Sequence, residues 1–204
     1  EGQNIYDTFN PSRIIASSPR IADLFLKPAL NNPSVIICSD TEAEAIKLFS
    51  NTFLAARVAL FNEIDTECMR LNIDSANVIK GMCADSRIGD YYNNPSFGFG
   101  GYCLPKDSEE IANTTSGIML RAIPESNKQR KNFITEFIRE KYKGKGIGGN
   151  STAMKSGSNN SKCSAVLDII KALTDCEIIV YDEIDVLLCN RKGNIFSRDI
   201  FGRD

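Results

Sequence analysis

Histidine is absent from all 204 residues. Its absence removes every Ser/His/Asp and Cys/His catalytic arrangement and every His-containing metal site from this chain. Basic excess is absent too: 24 Lys and Arg stand against 26 Asp and Glu, for a formal net charge of -2. With a pI of about 5.4 there is no electrostatic footprint for wrapping a nucleic-acid backbone, so no nucleic acid is expected as a partner. No apolar run approaches the roughly 18 residues a membrane-spanning helix needs, and no membrane partner is expected either. Residues 1–10 show neither a basic stretch nor an apolar core of the kind a secretory signal carries. The seven cysteines, at 38, 68, 83, 103, 163, 176 and 189, include no C-x-x-C pair, which argues against a zinc ribbon and against a disulfide framework. Six lie in apolar or helical surroundings that suit a small buried thiol. Reduced cysteines and the lack of a targeting signal make the cytoplasm the expected compartment.

What is present reads as a globular chain, 42% hydrophobic and 25% charged, long enough for one large domain or two small ones. Apolar runs at 13–16 and 35–38, with prolines 19, 28 and 33 around them, predict two short buried strands and a broken helix between them. From residue 40 the period changes. Thr41 and Glu44 have the S/T-x-x-E spacing of a capping box. No proline or glycine interrupts 41–71, so one helix of roughly 45 Å is predicted, at 1.5 Å per residue. Ile46, Phe49, Phe53, Leu60 and Ile64 mark its expected apolar face, and a helix of this length suits pairing with a second copy of the chain as a homodimer.

A short helix over 74–81 and a loop over 85–101 rich in Asn, Gly, Pro and Tyr are expected next. Pro105 is placed at the first position of another helix, with Asp107, Glu109 and Glu110 in its first turn. Helices over 124–143 and 161–173 follow, separated by a glycine- and serine-rich stretch over 143–160 that reads as a loop or as a strand. Strands over 177–181, 185–190 and 194–199 complete a small parallel α/β sheet. There is no internal repeat.

Two glycine runs compete as sites. Gly144, Gly146 and Gly149 match G-x-G-x-x-G, but a charged helix precedes them and no helix follows directly, so a flexible loop is the expected reading. Gly98, Gly100 and Gly101 lie just before Cys103. There, backbone amides can approach a ligand closely, and the start of a helix and Lys106 both favour thiolate, the nucleophilic form. Lys47 and Asn51, spaced i and i+4, project from one helix face toward one ligand, where a buried lysine would stabilise developing negative charge.

The run Gly98-Phe99-Gly100-Gly101-Tyr102-Cys103-Leu104-Pro105-Lys106-Asp107 resembles the nucleophile motif of the UDP-glucose/GDP-mannose dehydrogenase family. The likeness extends upstream to residues 10–13, 41–52, 61–63 and 85–89, and downstream to 154–160 and 197–202. It covers most of the chain and favours the bacterial UDP-glucose branch. It implies an α/β fold in three parts: the end of a Rossmann-like NAD domain over 1–38, a central helical dimerisation domain over 39–121, and a C-terminal Rossmann-like UDP-sugar-binding domain over 122–204. It also implies two successive NAD-dependent oxidations of UDP-glucose to UDP-glucuronate through a cysteine thiohemiacetal and thioester.

By resemblance Cys103 is the nucleophile, Lys47 and Asn51 support the oxyanion, and Asp107 orients water or moves a proton. Tyr92, Asn93, Asn94, Pro95, Ser96 and Gly100 cradle the UDP-sugar, Lys155 and Arg198 serve its UDP side, and Arg87 reaches over from a neighbouring subunit. Lys106 and Lys162 stand near the cofactor; Lys162 occupies a place where arginine is commoner, leaving a point charge for a bidentate contact. The alternatives are another nucleotide sugar, UDP-N-acetylmannosamine or GDP-mannose, and a non-catalytic sugar-binding and dimerisation fragment. The NAD fingerprint is missing from the front of the chain, and the stretches 117–124 and 183–185 are short for the family. A longer polypeptide, with an intact mass above 22.5 kDa, is therefore expected.

Overall fold

The computed structural model describes residues 2–143, 147–150, 164–174, 178–181, 186–189 and 195–198. The chain divides into two compact units, Glu1–Ser50 and Asn51–Asp204. In the first, helix α1 (Gly2–Phe9) leads to strand β1 (Arg13–Ala16), helix α2 (Pro19–Leu26) and strand β2 (Ser34–Ile37). The strands run parallel, Arg13 opposite Ser34 and Ala16 opposite Ile37, as the intervening helix permits. Ser18 caps α2 by accepting from Ile21 N at 3.3 Å, and Pro19 takes the first helical position, where a missing N–H leaves nothing unpaired. Ile14, Ala16 and Ala22 form a small core. Val35, Ile36 and Ile37 stay 40%, 41% and 47% exposed, so β2 is bare where a parallel strand is ordinarily covered on both faces. Helix α1 was not anticipated in the sequence.

Helix α3 (Asp40–Leu71) runs unbroken for 32 residues. Its capping box lies two residues earlier than expected. Ser39 N and Ser39 Oγ donate to Glu42 Oε2 at 2.8 and 2.7 Å, and Glu42 N donates back to Ser39 Oγ at 3.3 Å. Ser39 and Thr41 both open an S/T-x-x-E spacing, but with Asp40 already helical only Ser39 stands outside the helix where a cap must be. These bonds hold the Glu42 carboxyl below its ordinary range.

The buried face of α3 is not the one the large apolar residues mark. Phe49, Phe53 and Leu60 are 50%, 64% and 55% exposed, whereas Thr52, Ala55, Ala59, Asn62 and Thr66 are buried. Those five recur at three- and four-residue steps, a helical stripe made of small and polar side chains. Hydrophobicity alone therefore points to the wrong side of the helix.

The second unit continues with α4 (Ser75–Cys83), α5 (Cys103–Thr114), α6 (Ile118–Lys141), β3 (Ile147–Asn150), α7 (Ala165–Ala172), β4 (Ile178–Tyr181), β5 (Val186–Cys189) and β6 (Ile195–Arg198). Asp74 caps α4 by accepting from Ala76 N at 2.9 Å. Helix α5 begins two residues before Pro105, which still lies among the four leading residues whose N–H groups have no helical partner. Its first turn accordingly holds no acidic residue. Helix α6 starts at Ile118 and keeps Pro124 inside it; the buried stripe Ile123, Asn127, Arg130 and Ile134 supplies packing that outweighs the lost backbone bond.

The C-terminal sheet is mixed, not parallel. Strand β3 pairs β4 in parallel, while β4 with β5 and β5 with β6 are antiparallel. Residues 182–185 and 190–194 are too few for the crossover of a dozen or more residues that parallel neighbours require. Gly148 and Gly149 belong to β3, so of the two readings of 143–160 the strand holds for that part of the glycine run. Ile134, Ile169, Ile170, Leu173 and Ile178 form the core joining α6, α7 and β4. Cys68 and Cys83 are buried, Cys38 half-buried and Cys103 exposed. Among the described residues no helix is long and apolar enough to cross a membrane.

Candidate functional site

Helix α5 places Cys103 at its first position and Asp107 one turn on, a spacing that sets both on one side of the helix. The thiol is exposed, while Asp107 is fully buried. A buried carboxylate needs partners, and Asp107 has one at each oxygen. Asn51 Nδ2 of α3 donates to Oδ2 at 2.5 Å, and Lys106 Nζ lies 2.5 Å from Oδ1. Lys106 also faces Glu110 at 3.6 Å, and its hydrogen bond to Asp107 raises its pKa above the ordinary lysine value. Lys106, expected at the cofactor, is thus built into the Asn51–Asp107 group.

Before α5, residues 84–102 carry no helix or strand. Their outer half is held by Arg57 of α3. Arg57 Nε donates to Tyr91 O at 2.6 Å, and Nη2 donates to Ile88 O and Gly89 O, each at 2.9 Å. The guanidinium also lies 5.2 and 5.3 Å from the ring centres of Phe61 and Tyr91. Tyr92 follows with φ +51, a left-handed conformation rare outside glycine.

The inner half is held by buried polar side chains of α3 and α6. Ser96 N donates to Asn62 Oδ1 at 2.7 Å, and Ser96 O accepts from Arg130 Nε at 2.9 Å. Phe99 N donates to Asn127 Oδ1 at 2.8 Å, and Phe99 O accepts from Asn127 Nδ2 at 2.9 Å. Arg130 is fixed in turn by Thr66 Oγ1 at 2.7 Å and Asp65 Oδ2 at 2.5 Å. The Phe99 ring fills the space left by Ala55 and Ala59, against Ile123.

The expected site residues are gathered in part. Asn51, Lys106, Asp107 and Cys103 share the junction of α3 and α5. Tyr92, Asn94 and Pro95 present exposed side chains on the loop, whereas Asn93 turns inward, donating to Cys83 Sγ at 3.2 Å and Asp90 Oδ1 at 2.6 Å. Gly100 is half-buried. Arg87 is exposed and bonded to Asp85, Nη2 to Oδ2 at 2.6 Å, a pairing that lowers the Asp85 pKa and raises that of Arg87. Lys47 is exposed rather than buried and belongs to the first unit. Arg198 ends β6; Lys155 and Lys162 lie outside the described residues.

Sequence reasoning missed Arg57, Asn62, Asn127 and Arg130. The signal was there: Asn62 falls on the small-residue stripe of α3, and Asn127 and Arg130 fall between Ile123 and Ile134 at helical spacing. A cleft of about 600 Å³ opens beside this clamp, lined by Pro95, Ser96, Phe97, Arg130, Phe137 and Tyr142 among others, a volume within the range of small-molecule sites.

Residues 41–129 match the central domain of the UDP-glucose/GDP-mannose dehydrogenase family. Over its whole length the chain is 39% identical to a UDP-glucose 6-dehydrogenase of Campylobacter jejuni and 34% identical to one of Streptococcus pneumoniae. It spans 63% and 64% of those two relatives. The alignments run over 247 and 251 positions, more than the 204 residues here, so the relatives carry segments without a counterpart in this chain. A UDP-glucose dehydrogenase structure from Pyrobaculum islandicum superposes with a TM-score of 0.76 at 25% identity, over 87% of this chain and 44% of that one.

Proposed function

Since the chain belongs to the UDP-glucose/GDP-mannose dehydrogenase family, whose central domain its residues 41–129 match, we propose that it is the substrate-binding and thiol-bearing part of a UDP-glucose 6-dehydrogenase. The observation that carries this reading is the exposed Cys103 at the start of α5, one turn from an Asp107 carboxylate engaged by Asn51 and Lys106. In this reading residues 1–38 end a dinucleotide-binding domain, 39–121 form the central domain and 122–204 the UDP-sugar domain.

The cofactor proposed is NAD, which accepts hydride. Among the described residues the β1–α2 turn reads Ser17-Ser18-Pro19, without the glycines that let a dinucleotide's pyrophosphate approach a helix start. The turn that would hold the pyrophosphate is thus not among the described residues, and the roles that follow concern the chain's own side chains. Once the sugar C6 alcohol has become an aldehyde, the Cys103 thiolate adds to its carbon and the carbonyl electrons move to oxygen, giving a thiohemiacetal. Asn51 donates toward that oxygen. After the second oxidation Asp107 orients water onto the thioester carbonyl, the C–S bond breaks and the thiol is restored. Tyr92, Asn94, Pro95, Ser96 and Gly100 shape the sugar's cradle; Lys155 and Arg198 serve the diphosphate, and Arg87 serves a neighbouring subunit's substrate. The exposed Phe53 and Leu60 on α3 suit a homodimer.

The test is the yield of NADH from limiting UDP-glucose with excess NAD in the full-length protein. Two per sugar are expected, and Cys103→Ser is expected to abolish the second. Binding without NADH would leave a sugar-binding fragment. No binding would redirect the reading to UDP-N-acetylmannosamine or GDP-mannose.

A further inference from the structure

We propose that Asn127 is a positioning residue that fixes the approach of the chain to Cys103; the inference rests on Cys103 being the reacting thiol. Asn127 is 6% exposed and spends both polar atoms of its amide on one residue, accepting from Phe99 N at 2.8 Å and donating to Phe99 O at 2.9 Å. A two-point bond of this kind fixes the orientation of the Phe99 backbone as well as its distance from α6. The Phe99 ring is held independently, against Ala55, Ala59 and Ile123.

The neighbouring residue is matched to the same amide. Gly98 has φ +138, and a Cβ there would stand 2.9 Å from Asn127 Oδ1 and 3.2 Å from Lys131 Cγ. Only glycine meets both the backbone conformation and the space. Gly100 and Gly101 then lead through Tyr102 into α5, Gly101 at φ +78, so the direction in which the chain enters the helix is set from Phe99. Of the cradle residues, those over 92–96 lie before the clamp and are anchored separately, at Ser96, by Asn62 and Arg130; Gly100 alone follows it. Two anchors thus divide the loop, one serving the residues before it and one the cysteine after it.

The consequence is a split that a purely structural role would not produce. Asn127→Asp keeps an acceptor for Phe99 N but sets a carboxylate oxygen against Phe99 O, where the amide had donated. In the full-length protein kcat is expected to fall by about 10²-fold through displacement of the reacting group, while the UDP-glucose dissociation constant stays within about threefold. Gly98→Ala, made from the other side of the same contact, is expected to show the same split. Without any substrate, the rate of Cys103 alkylation by iodoacetamide, followed by peptide mass spectrometry, should change by roughly threefold or more in both variants, since thiol reactivity follows its surroundings.

Folded variants with unchanged kcat and unchanged alkylation, or with kcat and affinity lost in parallel, would overturn the proposal. If the wild-type protein makes no NADH from UDP-glucose, the functional reading fails by itself, and the alkylation rates still decide the role of Asn127.

Discussion

The connection between α4 and α5 is held in two ways. Over 84–92 a single side chain, Arg57, gathers three carbonyls at the surface, and Asp85 and Arg87 pair in solvent. Over 93–102 four backbone groups, two on Ser96 and two on Phe99, end on buried side chains from two helices, with a ring packed beneath. A surface tether can open when one side chain lets go. A buried polar clamp cannot open without leaving amide, guanidinium and carboxylate groups unpaired away from water, which is costly for each. The outer half is therefore the adaptable part of the loop, and the inner half is the rigid frame that leads to the cysteine.

Substitutions can break this contrast. Phe99→Ala empties the space above Ala55 and Ala59 and should lower stability by about 3–5 kcal/mol, as large-to-small core changes do, read from urea unfolding. Arg57→Ala should cost less, about 1.5–3 kcal/mol for hydrogen bonds to a charged group. Arg57→Lys should recover little of it, because an ammonium lacks the fork that reaches three carbonyls; a Lys variant as stable as wild type would remove the tether from the account. Asp85→Asn should have the smallest effect, and one that depends on pH. The folded carboxyl titrates below its ordinary value. The pair's contribution is therefore complete above the unfolded pKa of about 3.9 and is lost as pH falls through the lower, folded pKa. The difference in Tm between wild type and Asp85→Asn should accordingly be present at neutral pH and vanish under acid conditions.

The elements were legible where periodicity and punctuation agree. Strands at 13–16 and near 34–38, the unbroken helix to Leu71, and a short helix near 74–81 follow from runs, spacing and punctuation. The orientation of α3 was not legible, because Phe49, Phe53 and Leu60 outweigh alanine and threonine on any hydrophobic scale, although the buried side is the one with room for Phe99. Strand direction in the last sheet depends on link lengths that the order of helix and strand does not reveal. At the site, Cys103 and Asp107 stood out through their motif. Asn62 and Asn127 did not, because a polar residue on a long helix reads as solvent-facing until the partner that satisfies it is known.

Ala55 and Phe99 are in effect one position shared by two places in the chain. The first is 0% exposed and the second 5%, and the volume missing from one is the volume present in the other. Drift at either is then constrained by its counterpart: a larger residue at 55 is tolerable only with a smaller one at 99, since cores accept exchanges that conserve total volume. The 44 positions that separate them in the chain do not weaken that contact, and the history of this helix should be written jointly with the history of the loop it carries.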